Sequence, residues 1–250
     1  MSSGSFKDHF SGHAGDYAAH RPWYPDELFD ELARLCSAHE RAWDCATGNG
    51  QAATGLARHF AHVVASDASV QQLENRRPHP RIDYCAGLAE AAPLARACCD
   101  LVTVAQSVHW FEFERFYAEV RRVLKPGGAL ALWTYGIFRV QTEIDARIDR
   151  FYEEVVGPYW PPERCYVETG YRTIPFPFAE LKPPPIVLET HWKFDQVMNY
   201  IGTWSAVQRY REAQQTDPLP ALRAQLEPSW GGAGRVRDIR WPLHLRVGRT

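Results

Sequence analysis

Apolar positions along the chain follow two different spacings. Leu28, Leu32 and Leu35 recur every three or four residues after Pro25, and this spacing predicts an amphipathic helix. Further along, short continuous apolar runs take turns with segments at helical spacing. The predicted strands cover 41–45, 62–66, 81–86, 100–105 and 129–135, and the predicted helices cover 51–60, 69–77 and 111–124. Strands that alternate with helices in this way predict a parallel sheet with right-handed crossovers.

The pattern changes in the second half of the chain. A helix is predicted over 145–156, and a segment rich in Pro and aromatic residues follows over 158–185. Two more strands are predicted over 186–194 and 239–247, with helical spacing around 195–213 between them. We expect these two strands to complete the sheet as an antiparallel pair at its edge. The predicted fold class is therefore α/β, a doubly wound and mostly parallel sheet of seven strands.

Composition and charge narrow the class of partner. The formal net charge is −2 and no Lys/Arg-rich run is present, so nucleic acid is not expected as a partner, because phosphate binding needs a basic surface. No apolar run approaches the ~18 residues of a membrane span, and no signal-peptide pattern is present, so we expect a cytoplasmic protein without membrane attachment. The six cysteines form no C-x-x-C pair, and no metal site is expected.

A glycine loop lies where the first predicted strand passes into the following helix. The run Asp44-Cys-Ala-Thr-Gly48-Asn-Gly50 occupies this junction, at which open α/β sheets bind ligands. Glycines there allow the backbone to turn tightly and to approach a ligand. Asp67 ends the second predicted strand, and its carboxylate is suited to accept hydrogen bonds from ribose hydroxyls. The alternative is a structural turn, with Asp67 capping the next helix.

The loop by itself fits two cofactors that contain ribose. Gly48-x-Gly50-x-x-Ala53 satisfies the dinucleotide pattern G-x-G-x-x-G/A, so a nicotinamide-dependent oxidoreductase remains an alternative. Two features favour S-adenosylmethionine. Asp44 precedes the glycines, where an acidic side chain suits the cationic methionine end of that cofactor. A folded segment also precedes the first strand, as a lid would.

Several motifs resemble one family of enzymes. They are D-C-A-T-G-N-G, S-D-A-S, A-G-L-A-E, D-L-V-T-V-A-Q-S-V-H-W-F, L-K-P-G-G and the N-terminal R-P-x-Y-P. Together they are similar to class I S-adenosylmethionine-dependent methyltransferases of the type 11 group, which have a Rossmann-like fold, and in particular to the branch of trans-aconitate methyltransferase-like proteins. The resemblance covers roughly residues 6–135 well and 186–247 loosely. Two departures stand out: Ala46 replaces a loop glycine, and Leu88 replaces an acidic residue that many relatives carry.

The resemblance implies which residues bind S-adenosylmethionine. The residues implied around its methionine and ribose are Asp44, Ala46, Gly48, Gly50, Asp67 and Gln106. Those implied around its adenine are Ala68, Leu88 and Ala89. Tyr17 is expected to close over the cofactor from the N-terminal lid. Because Ala46 replaces a loop glycine, a second alternative is a protein that binds adenosylmethionine but does not catalyse methyl transfer.

His109 and Arg21 are the candidate catalytic residues. Methyl transfer from a sulfonium is an in-line displacement, and a base is needed only if the acceptor must lose a proton. His109 follows the fourth predicted strand, so it is expected to act as that base or as a donor that orients the acceptor, with a purely structural role as the alternative. Arg21 is expected to bind the methionine carboxylate or an anionic acceptor, unless it is an ordinary surface arginine.

The domain prediction is one methyltransferase domain over residues 1–250. Residues 1–40 form an N-terminal lid and helix, 41–135 the cofactor-binding core, 136–185 a variable cover for the acceptor, and 186–250 the terminal strands and helix. The acceptor is expected to be a small molecule, methylated on a carboxylate oxygen. The expected assembly is a monomer or a homodimer.

Overall fold

The computed structural model describes residues 21–250 of the chain. The strands are β1 Arg41–Cys45, β2 His62–Asp67, β3 Ile82–Ala86, β4 Cys99–Ala105, β5 Leu124–Thr134, β6 Ala179–Leu181, β7 Ile186–Trp192 and β8 Arg237–Arg249. The α-helices are α1 Asp26–Arg34, α2 Gln51–Leu56, α3 Val70–Glu74, α4 Phe113–Val123, α5 Thr142–Arg150, α6 Arg164–Glu168, α7 Phe194–Gly202, α8 Ser205–Gln214 and α9 Leu219–Trp230. A π-helical turn over Phe151–Val155 continues α5.

One sheet of eight strands organises the fold, in the order β3-β2-β1-β4-β5-β8-β6, with β7 also paired to β8. Strands β1 to β5 are parallel to one another. Strand β8 is antiparallel to its neighbours, and its two halves pair with different strands. Residues 244–249 pair with β5, and residues 237–243 pair with β7. The predicted α/β fold with a mostly parallel sheet and an antiparallel pair is confirmed. The short strand β6 is an addition that the sequence pattern did not predict.

Some element boundaries differ from those predicted. The fifth strand was predicted to begin at residue 129, after a helix that ends at 124, but β5 already begins at Leu124, with a register irregularity between Cys99 and Leu101 of β4. The single helix expected around 195–213 is two helices, because the chain turns at Thr203 and Trp204 between α7 and α8. Helix α9 was not predicted, since Pro228 lies inside it and proline is unfavourable at an interior helix position.

Apolar side chains fill both faces of the sheet. Ala42 and Leu101 point toward the cluster that includes α1 and α2, whereas the adjacent Trp43 and Val102 point toward the cluster that includes α4. Successive side chains of a strand project to opposite faces, so one apolar strand contributes to two cores. Burial on both faces explains why the central strands are unbroken apolar runs in the sequence. Because β1, β2 and β4 are parallel, their carboxyl ends lie together at one edge of the sheet.

The described helices are short. The longest single α-helix, α9, has 12 residues, and α5 with its π-helical turn ends at Val155 after little more, whereas crossing a bilayer takes about 20 apolar residues. Within residues 21–250, no helix combines the length and the apolar character that a membrane span requires.

Candidate active site

The glycine loop after β1 takes the left-handed backbone conformation three times. Ala46 has φ 53°, Gly48 has φ 58° and Gly50 has φ 88°. A Cβ atom on Gly50 would lie 2.2 Å from the hydroxyl oxygen of Tyr84, so this position requires glycine for space as well as for conformation. Ala46 adopts the left-handed conformation despite its methyl group. The substitution therefore leaves the loop on a tightly turned path, in which Gly50 directly precedes α2.

Asp44 is the buried acidic residue at the end of β1. Its carboxylate accepts hydrogen bonds from the hydroxyl of Thr47 at 2.5 Å and from the hydroxyl of Thr103 at 2.8 Å. Burial raises the pKa of Asp44 to about 6, although both hydroxyl donors act in the opposite direction. A cation that binds nearby would lower the pKa of Asp44, because a positive charge favours the ionised form of a carboxyl group.

Asp67 ends β2 and connects two loops of the crevice. One carboxylate oxygen accepts a hydrogen bond from the backbone N–H of Gly48, and the other from the backbone N–H of Ser69, both at 2.8 Å. Asp67 thus holds the glycine loop against the start of α3, whereas the cap of that helix is Ser69 and not Asp67. The expected contact of Asp67 with the ribose stays a prediction.

The three residues predicted around the adenine follow the ends of β2 and β3. Ala68 comes directly after Asp67, and the backbone N–H of Gly87 donates to the Asp67 carbonyl at 3.0 Å, which draws the β3 end toward β2. Leu88 is 42% exposed, whereas Ala89 is buried. Leu88 thus presents an apolar side chain to solvent just after the end of β3.

Gln106 lies just beyond β4 and is tied to the end of β5. Its backbone has φ 59°, its side-chain oxygen accepts from the Thr134 hydroxyl at 2.7 Å, and its side-chain nitrogen donates to the carbonyl of Tyr135 at 3.1 Å. The side chain joins two strand ends at the predicted site. Its expected contact with the cofactor's methionine stays a prediction.

His109 lies in the 3-10 turn Val108–Trp110 that follows β4. Its Nδ1 is 2.8 Å from the hydroxyl of Tyr171, and its ring packs against Trp110 at 4.8 Å between centroids. Burial, with a smaller effect from the positive charge of Arg164, lowers the pKa of His109 to about 3. The imidazole is therefore neutral near pH 7. Sequence reasoning missed Tyr171 as its partner, because no local pattern connects residues so far apart in the chain.

Arg21 packs on an aromatic ring of α7. Its guanidinium carbon is 5.1 Å from the ring centroid of Tyr200 on α7. It also lines a cavity of about 270 Å³ with residues of β7, including Glu189 and Trp192. Arg21 and His109 thus contact different tyrosines, and their joint action on one acceptor stays a prediction. Tyr17 lies outside the described residues.

Comparison with known proteins agrees with this geometry. The family described as "Methyltransferase domain" matches residues 43–132, which include the glycine loop and β4. A Dictyostelium discoideum protein named as a methyltransferase is 30% identical over 98% of this chain and 95% of its own length. A solved structure from Anaeromyxobacter dehalogenans, provisionally described as a type II methyltransferase, is 44% identical with a TM-score of 0.87 and covers 92% of this chain and 97% of that one.

The chain is a class I S-adenosylmethionine-dependent methyltransferase. This identification decides between the two cofactors that the glycine pattern left open, against the nicotinamide-dependent oxidoreductase. Shorter matches point the same way: a Mycobacterium tuberculosis methyltransferase is 35% identical over 69% of this chain and 67% of its own length.

The residues of the methyltransferase fit the implied cofactor. Among residues 21–250, a Cβ atom on Gly48 would approach only the side-chain oxygen of Gln72, at 3.8 Å, so this part of the chain leaves space beside the loop. Asp44 and Asp67 provide carboxylates at the ends of β1 and β2, and Leu88 provides apolar surface. Space, acceptors for hydroxyl groups and an apolar face are the features that a cationic adenosine derivative needs.

Proposed function

We propose that this methyltransferase transfers the methyl group of S-adenosylmethionine to a carboxylate oxygen of a small acid. The observation that carries the proposal is the state of His109, whose pKa is lowered to about 3 and whose Nδ1 contacts the Tyr171 hydroxyl at 2.8 Å. A base whose pKa is so far below 7 removes protons poorly at neutral pH. The site therefore suits an acceptor that needs no base.

A carboxylate is such an acceptor. Its pKa is about 4 in water, so it is already ionised at pH 7 and is a nucleophile without further activation. S-adenosylmethionine supplies the electrophilic methyl group when it is bound. Asp67 and the glycine loop would hold this cofactor. The enzyme's remaining task is to hold the acceptor oxygen in line with the bond that breaks, and such positioning contributes ~7–11 kcal/mol in favourable systems.

The neutral imidazole of His109 is suited to that positioning task. If the Tyr171 hydroxyl donates to Nδ1, the ring proton is on Nε2, and Nε2–H is a donor for one carboxylate oxygen. The other oxygen then remains available for methylation. Arg21 is assigned to the methionine carboxylate of the cofactor or to the acceptor, since a guanidinium binds carboxylates through two parallel hydrogen bonds. The resemblance to a branch that contains carboxyl methyltransferases also supports this acceptor class.

Substitutions at His109 test the proposal. Methyl transfer from labelled adenosylmethionine to a panel of small carboxylic acids, phenols and amines is measured for the wild type, His109→Gln and His109→Ala, per folded molecule and across pH. We expect ester products, with His109→Gln retaining much more activity than His109→Ala because glutamine keeps a donor. The rate on acids should be flat above about pH 6, since the carboxylate is ionised there.

Other results would contradict the proposal in recognisable ways. Phenol or amine products, with equal damage from both substitutions and a rate that rises with pH, would mean that a proton must be removed. Unchanged rates in both variants together with a loss of stability would mean that His109 only packs against Trp110. In either case the carboxylate assignment fails, while the methyltransferase activity itself stands.

A further inference from the structure

Tyr171 has a backbone conformation that the end of α6 does not explain. The helix ends with a common C-terminal cap, in which the N–H of Gly170 donates to the carbonyl of Val167 at 2.9 Å. Such a cap needs one left-handed residue, and Gly170 provides it with φ 59°. Tyr171 is left-handed as well, with φ 62°. A bulky residue takes this conformation only where the surrounding structure imposes it.

Two side chains of β8 hold this turn. His244 and Arg246 are two residues apart, so they project from the same face of the strand. The ring of His244 lies against Gly170, where a Cβ atom would be 2.7 Å from its Cγ atom. Arg246 donates from Nη1 to the carbonyl of Tyr171 at 2.9 Å and to that of Ile174 at 2.7 Å. Both left-handed residues are therefore fixed from the sheet.

The guanidinium of Arg246 is itself fixed in direction. Its Nε and Nη2 atoms donate to the two carboxylate oxygens of Glu180 on β6, at 2.8 and 3.0 Å. Its carbon also lies 4.5 Å from the ring centroid of Phe176. Two parallel hydrogen bonds to one carboxylate define the plane of a guanidinium. The remaining Nη1 atom thus points steadily at the backbone of the turn.

The turn directs the Tyr171 hydroxyl at His109. Tyr171 is fully buried, and its hydroxyl lies 2.8 Å from Nδ1 of the imidazole. That imidazole is neutral near pH 7, because burial lowers the pKa of His109 to about 3, so one ring nitrogen carries a proton and the other accepts. The hydrogen bond at one ring nitrogen decides which of the two is protonated.

The direction of this hydrogen bond follows from the two partners. An imidazole nitrogen is a better acceptor than a phenol oxygen, so the contact favours a hydroxyl that donates to Nδ1 and a proton on Nε2. The Nε2 atom of His109 makes no hydrogen bond within residues 21–250. It is therefore the ring atom of His109 that is available to a bound acceptor.

We propose that Tyr171 and Arg246 are positioning residues of the methyltransferase. Tyr171 keeps the proton of His109 on Nε2 and holds the ring in one orientation, and Arg246 keeps Tyr171 in place. His109 is the residue that contacts the acceptor, so the inference rests on the proposed function. The left-handed backbone of Tyr171 supports the assignment, because strained residues cluster at active sites.

The tautomer of His109 is the first test, since a merely structural role would not set it. Long-range ¹H–¹⁵N correlation spectra of the full chain at pH 7 distinguish a protonated ring nitrogen from an unprotonated one. The signals that disappear in His109→Gln are those of His109. Tyr171→Phe removes only the hydroxyl, and Tyr117→Phe is the matched control, because the hydroxyl of Tyr117 donates to the Pro175 carbonyl at 2.6 Å.

We expect an unprotonated Nδ1 and a protonated Nε2 in the wild type and in Tyr117→Phe. In Tyr171→Phe both nitrogens should move toward averaged shifts, since the ring then exchanges between its two tautomers. Tyr171→Phe should also lower kcat on the best acid of the panel roughly three- to tenfold, the range for one neutral hydrogen bond. The KM for adenosylmethionine should not change.

Arg246 is tested through its dependence on Tyr171. Arg246→Met keeps the apolar stem and removes the donors, and Arg246→Lys keeps a charged donor. We expect Arg246→Met to lower kcat roughly three- to tenfold, but by less than about twofold once Tyr171→Phe is present. Arg246→Lys should restore part of the loss. Arg121→Met is the control, because Arg121 donates to the Pro177 carbonyl at 2.7 Å, and urea unfolding shows whether each variant is folded.

The outcomes separate this inference from the proposed function. A wild-type His109 that is protonated on Nδ1 overturns the role of Tyr171, and so does a folded Tyr171→Phe variant that keeps the tautomer or the kcat of the wild type. Equal losses of kcat from Arg246→Met with and without Tyr171→Phe overturn the role of Arg246. If Tyr171 sets the tautomer but only phenols or amines are methylated, the carboxylate assignment fails and the role of Tyr171 stands.

Discussion

Replacing Gly50 by alanine should destabilise the fold more than the same change at Gly48. Both glycines have a positive φ, which costs a residue with a side chain ~1–2 kcal/mol. At Gly50 the new Cβ would also lie 2.2 Å from the Tyr84 hydroxyl oxygen and 3.0 Å from two ring carbons. Overpacking of this kind costs ~1–3 kcal/mol, and a stiffer unfolded chain offsets ~0.4–1 kcal/mol. The net expected loss is therefore about 2–4 kcal/mol for Gly50→Ala.

The control values follow from the same geometry. At Gly48 the nearest atom of residues 21–250 would be 3.8 Å away, so Gly48→Ala should lose only about 1 kcal/mol, from the backbone alone. Tyr84→Phe removes the closest atom but leaves the two ring carbons. When Tyr84→Phe is already present, the loss of unfolding free energy caused by Gly50→Ala should be about 1 kcal/mol smaller. A double-mutant cycle measures this coupling.

The assay is urea unfolding without cofactor, followed by circular dichroism, with the slope of the transition compared among all variants. Equal losses for Gly50→Ala and Gly48→Ala would refute the reasoning, because the contact with Tyr84 is what distinguishes the two sites. A zero coupling between Gly50→Ala and Tyr84→Phe would show that the loop moves away from the ring at no cost.

Two further predictions concern the acidic residues of the crevice. Asp67→Asn should weaken adenosylhomocysteine binding by roughly ten- to a hundredfold; calorimetry with the 2′-deoxyribose analogue checks the cause, because a direct ribose contact predicts that the wild type discriminates against the analogue and the variant does not. The pKa of Asp44, raised in the folded state to about 6 from about 3.9 unfolded, means that the folded protein binds an extra proton between these values. The free energy of unfolding without cofactor should therefore fall as the pH rises from about 4 to 6, by on the order of 2–3 kcal/mol relative to Asp44→Asn. Cofactor affinity should rise over the same pH range. A difference in stability between the wild type and Asp44→Asn that does not change with pH would falsify this account.

The local parts of the fold and of the cofactor half of the site could be predicted. Apolar runs and helical spacing locate β1 to β5, because a strand covered on both faces needs apolar residues at every position. The order of these elements then places the Asp44–Gly50 loop and Asp67 at one edge of the sheet, because parallel strands bring their carboxyl ends together. The predicted start of the third helix at residue 69 also agrees with the structure, where the Ser69 hydroxyl caps α3 by accepting from the Gln72 N–H at 3.3 Å.

The acceptor half could not be predicted in the same way. The cover over 136–185 has no regular spacing, so α6 and β6 were missed, and Arg164 was not considered. Strand β8 shows the same limit, since nothing in its sequence indicates that its two halves pair with different strands. These features depend on which distant segments meet, and neither periodicity nor local turn chemistry specifies such pairs.

The sequence by itself determined the α/β class, the glycine loop, the two crevice carboxylates and the position of His109 after β4. Each of these depends on neighbours in the chain or on the geometry of adjacent parallel strands. Only the tertiary structure decided that Asp67 holds the loop backbone, that Tyr171 contacts His109, and that Arg164 stacks on the ring of Trp160. The state of His109 follows from this packing, because burial by segments far away in sequence, and not the histidine itself, shifts its pKa.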